Sequence, residues 1–281
     1  MAPAGIAPHD PAPPLPEHQG NGGREPADEG ARAHNGGDPL VPTQAGEHDL
    51  SQIVTEPGQL LASGALADVW SLDEERVLRR YREGRDAARE AHILRHVVSH
   101  GFPAPQVLHA AGPDMLLERL HGPTLLQALT ADELTIPDAA HTMADLHRRL
   151  HAVAAPAAIA SRSGDVVVHL DLHPANIILT EAHGPVVVGW GNARAGSAEL
   201  DVAVTTLILA EVAVDAGGLY SRAARAVLAT FLAAVHADPR PALEEAARVR
   251  AADPTLVPGE RELVPAAAEL VRHYAELAES S

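Results

Sequence analysis

Between Val166 and Leu179 the chain reads Val-Val-Val-His-Leu-Asp-Leu-His-Pro-Ala-Asn-Ile-Ile-Leu, so His169, Asp171, His173 and Asn176 share one short loop between apolar runs. A further apolar run, Val186 to Val188, leads into Gly189-Trp190. Phosphoryl transfer uses an acid that orients the attacking hydroxyl, an amide oxygen on a metal ion, and a second acid that bridges metal to the nucleotide phosphates. Asp171 and Asn176 are of the right type for the first two. A different chemistry is open to the same stretch. On an extended strand His169, Asp171 and His173 would share a face, and two imidazoles with a carboxylate suit zinc or a similar ion in a metal-dependent hydrolase.

The elements that must hold these groups are readable from the pattern of apolar residues. Val166 to Val168 is a short run entering the loop. Ile177 to Leu179 pairs with Val186 to Val188 across the turn Glu181-Ala182-His183-Gly184, which brings Asp171, Asn176 and position 189 to one end of a hairpin. Upstream, 59–62, 67–71 and 75–81 read as strands, with Ser63-Gly64-Ala65-Leu66 turning the first into the second. Ala88, Ala91, Ile93, Leu94 and Val97 recur at helical spacing in a helix from Arg85 to Val98. Pro103 and Pro105 end it, two strands follow around 106–108 and 115–119, and Gly122-Pro123 breaks the chain. Beyond the loop region the sequence is helical. One helix runs from Pro137 to about 153, where Leu146-His147 and Leu150-His151 read as packing. Others cover 199–216, 220–236, 241–251 and 260–278, with Asp201 read as an N-cap of the first of these four.

Composition bounds the function classes. The chain has 281 residues, 46% of them hydrophobic, which suffices for a real core, and a formal charge of -17. An acidic surface repels nucleic acid and anionic membrane, so neither is expected as partner, and a cationic or neutral small molecule fits better. Every basic residue is Arg, and there is no Lys. Cysteine is absent, which excludes disulfides, thiolate nucleophiles and Cys-based metal sites. Met1 to Pro16 lacks the basic and apolar regions of a secretory signal, and Val202 to Val214 is too short and too polar to cross a bilayer. A cytoplasmic protein is the expectation. Residues 1 to 48, rich in Pro, Gly and His, read as a disordered tail.

Taken in order, the motifs resemble the aminoglycoside phosphotransferase and choline kinase branch of the protein-kinase-like fold. The likeness runs from about 55 to 235: the loop Ser63 to Val69, the strand Arg76-Val77-Leu78-Arg79, the helix carrying Glu90, the hinge Leu117 to Leu120, the Leu-His repeats, and His169-x-Asp171-x-x-x-x-Asn176 ahead of Gly189-Trp190. The resemblance implies an α+β fold of two lobes. Residues 49–120 would be a small antiparallel sheet with one helix that binds nucleotide, and 121–281 a larger, mainly helical lobe for catalysis and substrate. It implies an ATP-dependent phosphotransferase acting on a hydroxyl of a small molecule such as an aminoglycoside, an amine or a sugar alcohol. Asp171 would be the catalytic base or hydroxyl orienter, His169 the brace of its loop, and Asn176 a magnesium ligand. Glu90 would pair with Arg79, or with Arg80, in place of the family's lysine. Ser63 and Gly64 would lie over the phosphates, and backbone near Glu118 and Leu120 would hold the adenine. Where the family ends its apolar strand in Asp-Trp, this chain has Gly189-Trp190, so the second metal ligand is missing. The alternative is a catalytically inactive relative that keeps the cleft as a nucleotide or small-ligand binding module.

Overall fold

Arg76–Tyr81 is the central strand of the N-terminal sheet, and its alternation decides which arginine reaches the cleft. Val77, Arg79 and Tyr81 point to one face and Leu78 and Arg80 to the other, because successive strand residues alternate sides. In the computed structural model, which describes residues 58–64, 66–215, 217–253, 256 and 259–279, the sheet comprises β1 (Leu60–Ser63), β2 (Ala67–Ser71), β3 (Arg76–Tyr81), β4 (Val107–Ala111) and β5 (Asp114–Glu118). Its order is β1-β2-β3-β5-β4, antiparallel throughout. The expected tail, 1–48, and the boundary at 49 lie outside the described residues.

One helix, α1 (Ala88–Ser99), lies against this sheet through Ala91, Ile93, Leu94 and Val97, all buried. It starts later than the apolar spacing suggests. Arg82 to Gly84 form a separate tight turn with Glu83 and Gly84 at positive φ, and Asp86 accepts the Ala88 N–H at 2.8 Å, which fixes the true first turn.

The C-terminal part is mainly helical. It contains α2 (Leu125–Thr130), α3 (Ile136–His151), α4 (Ala198–Val214), α5 (Leu219–Ala234), α6 (Leu243–Ala251) and α7 (Val264–Glu279). The α4 helix is apolar on all sides and buried along most of its length, as a central helix must be, and α3, α5, α6 and α7 all touch it. Its N-cap is Ser197, whose hydroxyl accepts the Leu200 N–H at 3.3 Å, and not Asp201 as the sequence suggested. Asp201 stands a full turn inside the helix, fully buried, and has other partners.

Two small strand pairs hold the loop region. β6 (Val166–Val168) pairs with β9 (Arg194–Gly196), and β7 (Ile177–Thr180) pairs with β8 (Gly184–Val187) with Ile178 opposite Val186. The short α2 and β9 carry too little apolar periodicity to be read from sequence. The link from β5 into α2 crosses β7 closely. At Gly122, φ is +147° and a Cβ would stand 2.0 Å from the Leu179 carbonyl oxygen, so the crossing requires glycine. Among the described residues no helix is long and apolar enough to cross a membrane.

Candidate functional site

The loop after β6 is held from beneath by a buried carboxylate. Leu170 adopts φ +60°, a left-handed conformation that costs a non-glycine residue about 1–2 kcal/mol. Asp201 Oδ1 accepts the backbone N–H of His169 at 3.0 Å and of Leu170 at 2.7 Å, and such charge-assisted bonds in a dry setting outweigh that strain. On its other oxygen Asp201 meets His151 Nε2 at 2.8 Å, with His147 Nδ1 3.4 Å away. Burial alone would raise the Asp201 carboxyl, but the imidazoles of His147 and His151 outweigh it and hold the group well below the ordinary carboxylate range. His147 shares a hydrogen bond with the Thr205 hydroxyl at 3.1 Å, and that hydroxyl donates to the Leu172 carbonyl at 3.0 Å. The two Leu-His repeats thus pack, as expected, but onto an acid that braces the loop.

The left-handed turn at Leu170 also decides the fate of the His169-Asp171-His173 triplet. The stretch is not an extended strand, so the three side chains do not share a face. His169 is fully buried, its Nε2 bonded to the Val188 carbonyl at 3.0 Å and its ring edge-on to Trp190 at 4.8 Å. Burial drives its pKa down and keeps it neutral. The Trp190 indole N–H in turn donates to Val187 at 2.8 Å. These bonds lock 187–190 against the loop, and they turn His169 away from any ion that Asp171 could share.

Asp171 and Asn176 do come together. The Asn176 carboxamide donates to the Asp171 carboxylate Oδ2 at 2.9 Å and to the Asp171 carbonyl at 2.9 Å, and it lies 3.1 Å from His173 Nε2. Asp171 keeps part of its surface open, with its side chain 30% exposed. His173 stands 3.6 Å from Asp171 Oδ1, and burial, helped by the charge of Arg250, holds its pKa down.

Gly189 lies against this pair. It has φ +83° and ψ +37°, and a Cβ there would stand 2.9 Å from Asn176 Cγ and Oδ1 and 3.0 Å from Nδ2. The carboxamide therefore lies across the face of Gly189 and fills the start of any longer side chain at that position. Magnesium asks for near-octahedral oxygen ligands, commonly including one or two carboxylates. Here position 189 offers none, which leaves Asp171 as the one carboxylate beside Asn176, whose Oδ1 lies against Gly189. The residues present do not fit the implied magnesium site. His147, His151 and Asp201 do bring ligand-type atoms within 4.8 Å of one another, but the Asp201 oxygens are engaged by two backbone N–H groups and His151.

On the facing side, Arg79 Nε stands 3.2 Å from Glu90 Oε2, with side-chain exposures of 15% and 5%. Tyr81 donates its hydroxyl to the same Glu90 oxygen, and the Arg79 guanidinium lies 5.2 Å from the centre of the Tyr81 ring. Burial opposes the charge on Arg79, but Glu90 and Tyr81 outweigh it and raise its pKa. Arg80, on the opposite face, pairs instead with Asp114 at 2.6 Å. Ser63 donates to Asp68 at 2.8 Å and accepts from Arg82 at 2.7 Å, while the Gly64 N–H closes the hairpin on the Ala67 carbonyl at 3.0 Å. Glu118 and Leu120 stand at the exit of β5. Their connection to Arg79 runs through the sheet, Glu118 being opposite Arg76 on β3.

Sequence reasoning missed Arg250 on α6. It pairs with Glu211 of α4 at 3.0 Å and with Asp253 at 3.3 Å, largely buried, and Asp171 helps hold its charge. An Arg on a short Ala-rich helix carries no signal of this in the sequence. Asp201 carried one, an acid inside a mainly apolar helix, matched by two histidines one turn apart.

Residues 58–165 and 154–247, more than half of the chain, match the model of the phosphotransferase enzyme family. No curated protein matches the chain. Among solved structures, the gentamicin complex of APH(2'')-IIa is similar at 15% identity and a TM-score of 0.50, covering 82% of this chain and 92% of that one. A choline/ethanolamine kinase family protein from Mesorhizobium loti is similar at 14% identity and a TM-score of 0.47, covering 80% and 86%. The ADP-bound aminoglycoside phosphotransferase APH(2'')-Ib gives 14% and 0.47 over 80% and 97%. At such identities the first of these likenesses is one of fold.

Proposed function

Because the chain belongs to the phosphotransferase enzyme family, we propose that it moves the γ-phosphate of ATP to a hydroxyl of a small molecule, with Asp171 as the group that orients the hydroxyl and takes its proton. The observation that carries this reading is the Asp171–Asn176 pair, held 2.9 Å apart on a strained, fully braced loop. A partly exposed carboxylate fixed in this way can face an acceptor hydroxyl, and proton abstraction by a positioned acid contributes about 10²–10⁴-fold in rate. Arg79, held by Glu90, brings a guanidinium to the segment that follows Gly189. The chain's formal charge of -17 favours a neutral or cationic acceptor over an anionic one.

A second reading is supported by the missing carboxylate at 189 and the carboxamide lying against it: a relative that binds nucleotide without turnover. The test is transfer from γ-labelled ATP to a panel of aminoglycosides, amino alcohols and sugar alcohols. Labelled product that falls about a hundredfold or more in Asp171→Asn supports the enzyme. ATP binding with no labelled product from any acceptor would favour the second reading.

A further inference from the structure

The nucleotide reading leaves a charge to account for, because triphosphate needs neutralising and the magnesium site is not there. Gly189 offers no ligand, and Asn176 lies across it, bonded to Asp171. Two residues on, Gly191 has a different neighbour. A Cβ at Gly191 would stand 3.3 Å from Arg79 Nη2, 3.5 Å from the Tyr81 hydroxyl and 3.6 Å from Leu66. The Arg79 guanidinium thus crosses from the sheet to the segment that follows Gly189, and Gly191 leaves it room. Arg79 is not the one cation there. Arg85 lies 5.4 Å from the centre of the Tyr81 ring, which Arg79 also approaches, and Arg89 at the start of α1 donates to the Ala193 carbonyl at 3.5 Å. Three guanidinium groups therefore gather about Tyr81 and residues 191–193, and Glu90 neutralises one of them.

We propose that this cleft holds a nucleoside triphosphate without a divalent metal, with Arg79, Arg85 and Arg89 supplying the positive charge that metal supplies elsewhere. The proposal rests on the nucleotide reading above and goes beyond it in naming the counter-ion. Guanidinium suits the task, since its planar fork takes two phosphate oxygens in parallel hydrogen bonds where an ammonium acts as a point charge. The Arg79 Nε–Glu90 bond fixes the base of that fork, and its Nη2 end lies between the Tyr81 hydroxyl and Gly191. In a chain of net charge -17, such a cluster is a local reversal of sign, as an anion site requires.

The experiment is calorimetric titration of the full chain with ATP, once in EDTA and once in excess magnesium, with adenosine as a probe that lacks phosphates. Binding in EDTA within about threefold of that in magnesium is expected. In EDTA, the double variant Arg85→Ser/Arg89→Ser, at exposed positions, should weaken ATP about tenfold or more and leave adenosine unchanged. Equal loss for ATP and adenosine, or an unchanged ATP affinity in the variant, overturns the role of the arginines. Binding that needs magnesium by tenfold or more overturns the proposal while the nucleotide reading stands. No ATP binding in either buffer removes that reading and the proposal with it.

Discussion

Asp201 Oδ1 accepts the backbone N–H of Leu170 at 2.7 Å, across 31 residues of chain, and so fastens the strained turn ahead of Asp171 to the buried helix α4. Replacing the acid strands several polar groups at once. Asp201→Ala should cost about 3–5 kcal/mol in urea unfolding, since two backbone N–H groups and His151 lose a buried charged partner. A loss below about 1 kcal/mol would mean that water or another group can take over the loop.

Acid should weaken the fold earlier than carboxylates alone would allow. His147 and His169 are fully buried, and burial lowers the pKa of both, so each is neutral when folded. The unfolded chain protonates them near pH 6.5. Stability is therefore complete above about 6.5 and falls as pH drops below it toward the folded pKa, by up to about 1.4 kcal/mol per pH unit for each histidine. Urea unfolding at successive pH values between 7.5 and 5.5 checks this, and a flat profile would contradict it.

Alkali acts through Tyr81. Burial, with Glu90 adding to it, pushes the phenol up to about 12. The unfolded phenol ionises near 10, so stability from this group is present below about 10 and declines as pH rises toward 12. Tyr81→Phe should cost about 1 kcal/mol at pH 7 by leaving Glu90 with one partner fewer, and it should remove this part of the alkaline decline. Parallel alkaline profiles for the two proteins would refute the assignment.

Gly189→Asp restores the carboxylate that the family carries, but at a position with φ +83° and with Asn176 2.9 Å from the new Cβ. The variant should lose about 1–3 kcal/mol of stability from the backbone conformation and the displaced carboxamide. Its ATP affinity should become magnesium-dependent, as calorimetry with and without EDTA would reveal. An unstrained variant that stays indifferent to magnesium would show that position 189 does not face the phosphates.

Gly122→Ala tests the link between sheet and helices. A Cβ there would meet the Leu179 carbonyl oxygen at 2.0 Å, so the crossing must open. A loss of about 2–3 kcal/mol is expected in thermal or urea unfolding. Wild-type stability would mean that the β7 hairpin shifts freely.

The sequence was most informative where a residue's own period or type decides its role. The apolar runs fix the β7–β8 hairpin, and the helical stripes locate α1 and α3 within a few residues of their ends, whereas Arg79 and Arg80 are told apart only once Glu90 and Asp114 each take one. The spacing of Asp171 and Asn176 marked the loop itself. What stayed hidden depends on contacts distant in sequence. Asp201 reads as a helix start until the fold sets Leu170 above it, and Arg250 gains its role only when α6 packs on α4. The zinc-type triplet failed for a local reason: alternation holds only in extended backbone, and one left-handed leucine breaks it.

A protein without lysine has no side-chain amine anywhere. The cation beside Gly191 is a guanidinium whose proton is held above its already high affinity, so it does not switch off at any pH the fold survives. Nucleotide analogues that acylate or form imines with the usual lysine will find nothing to label here, and silence from such reagents reports the chemistry of the side chain and not an empty cleft. Arginine-directed dicarbonyls are the reagents that can report on occupancy, with protection by ATP as their signal.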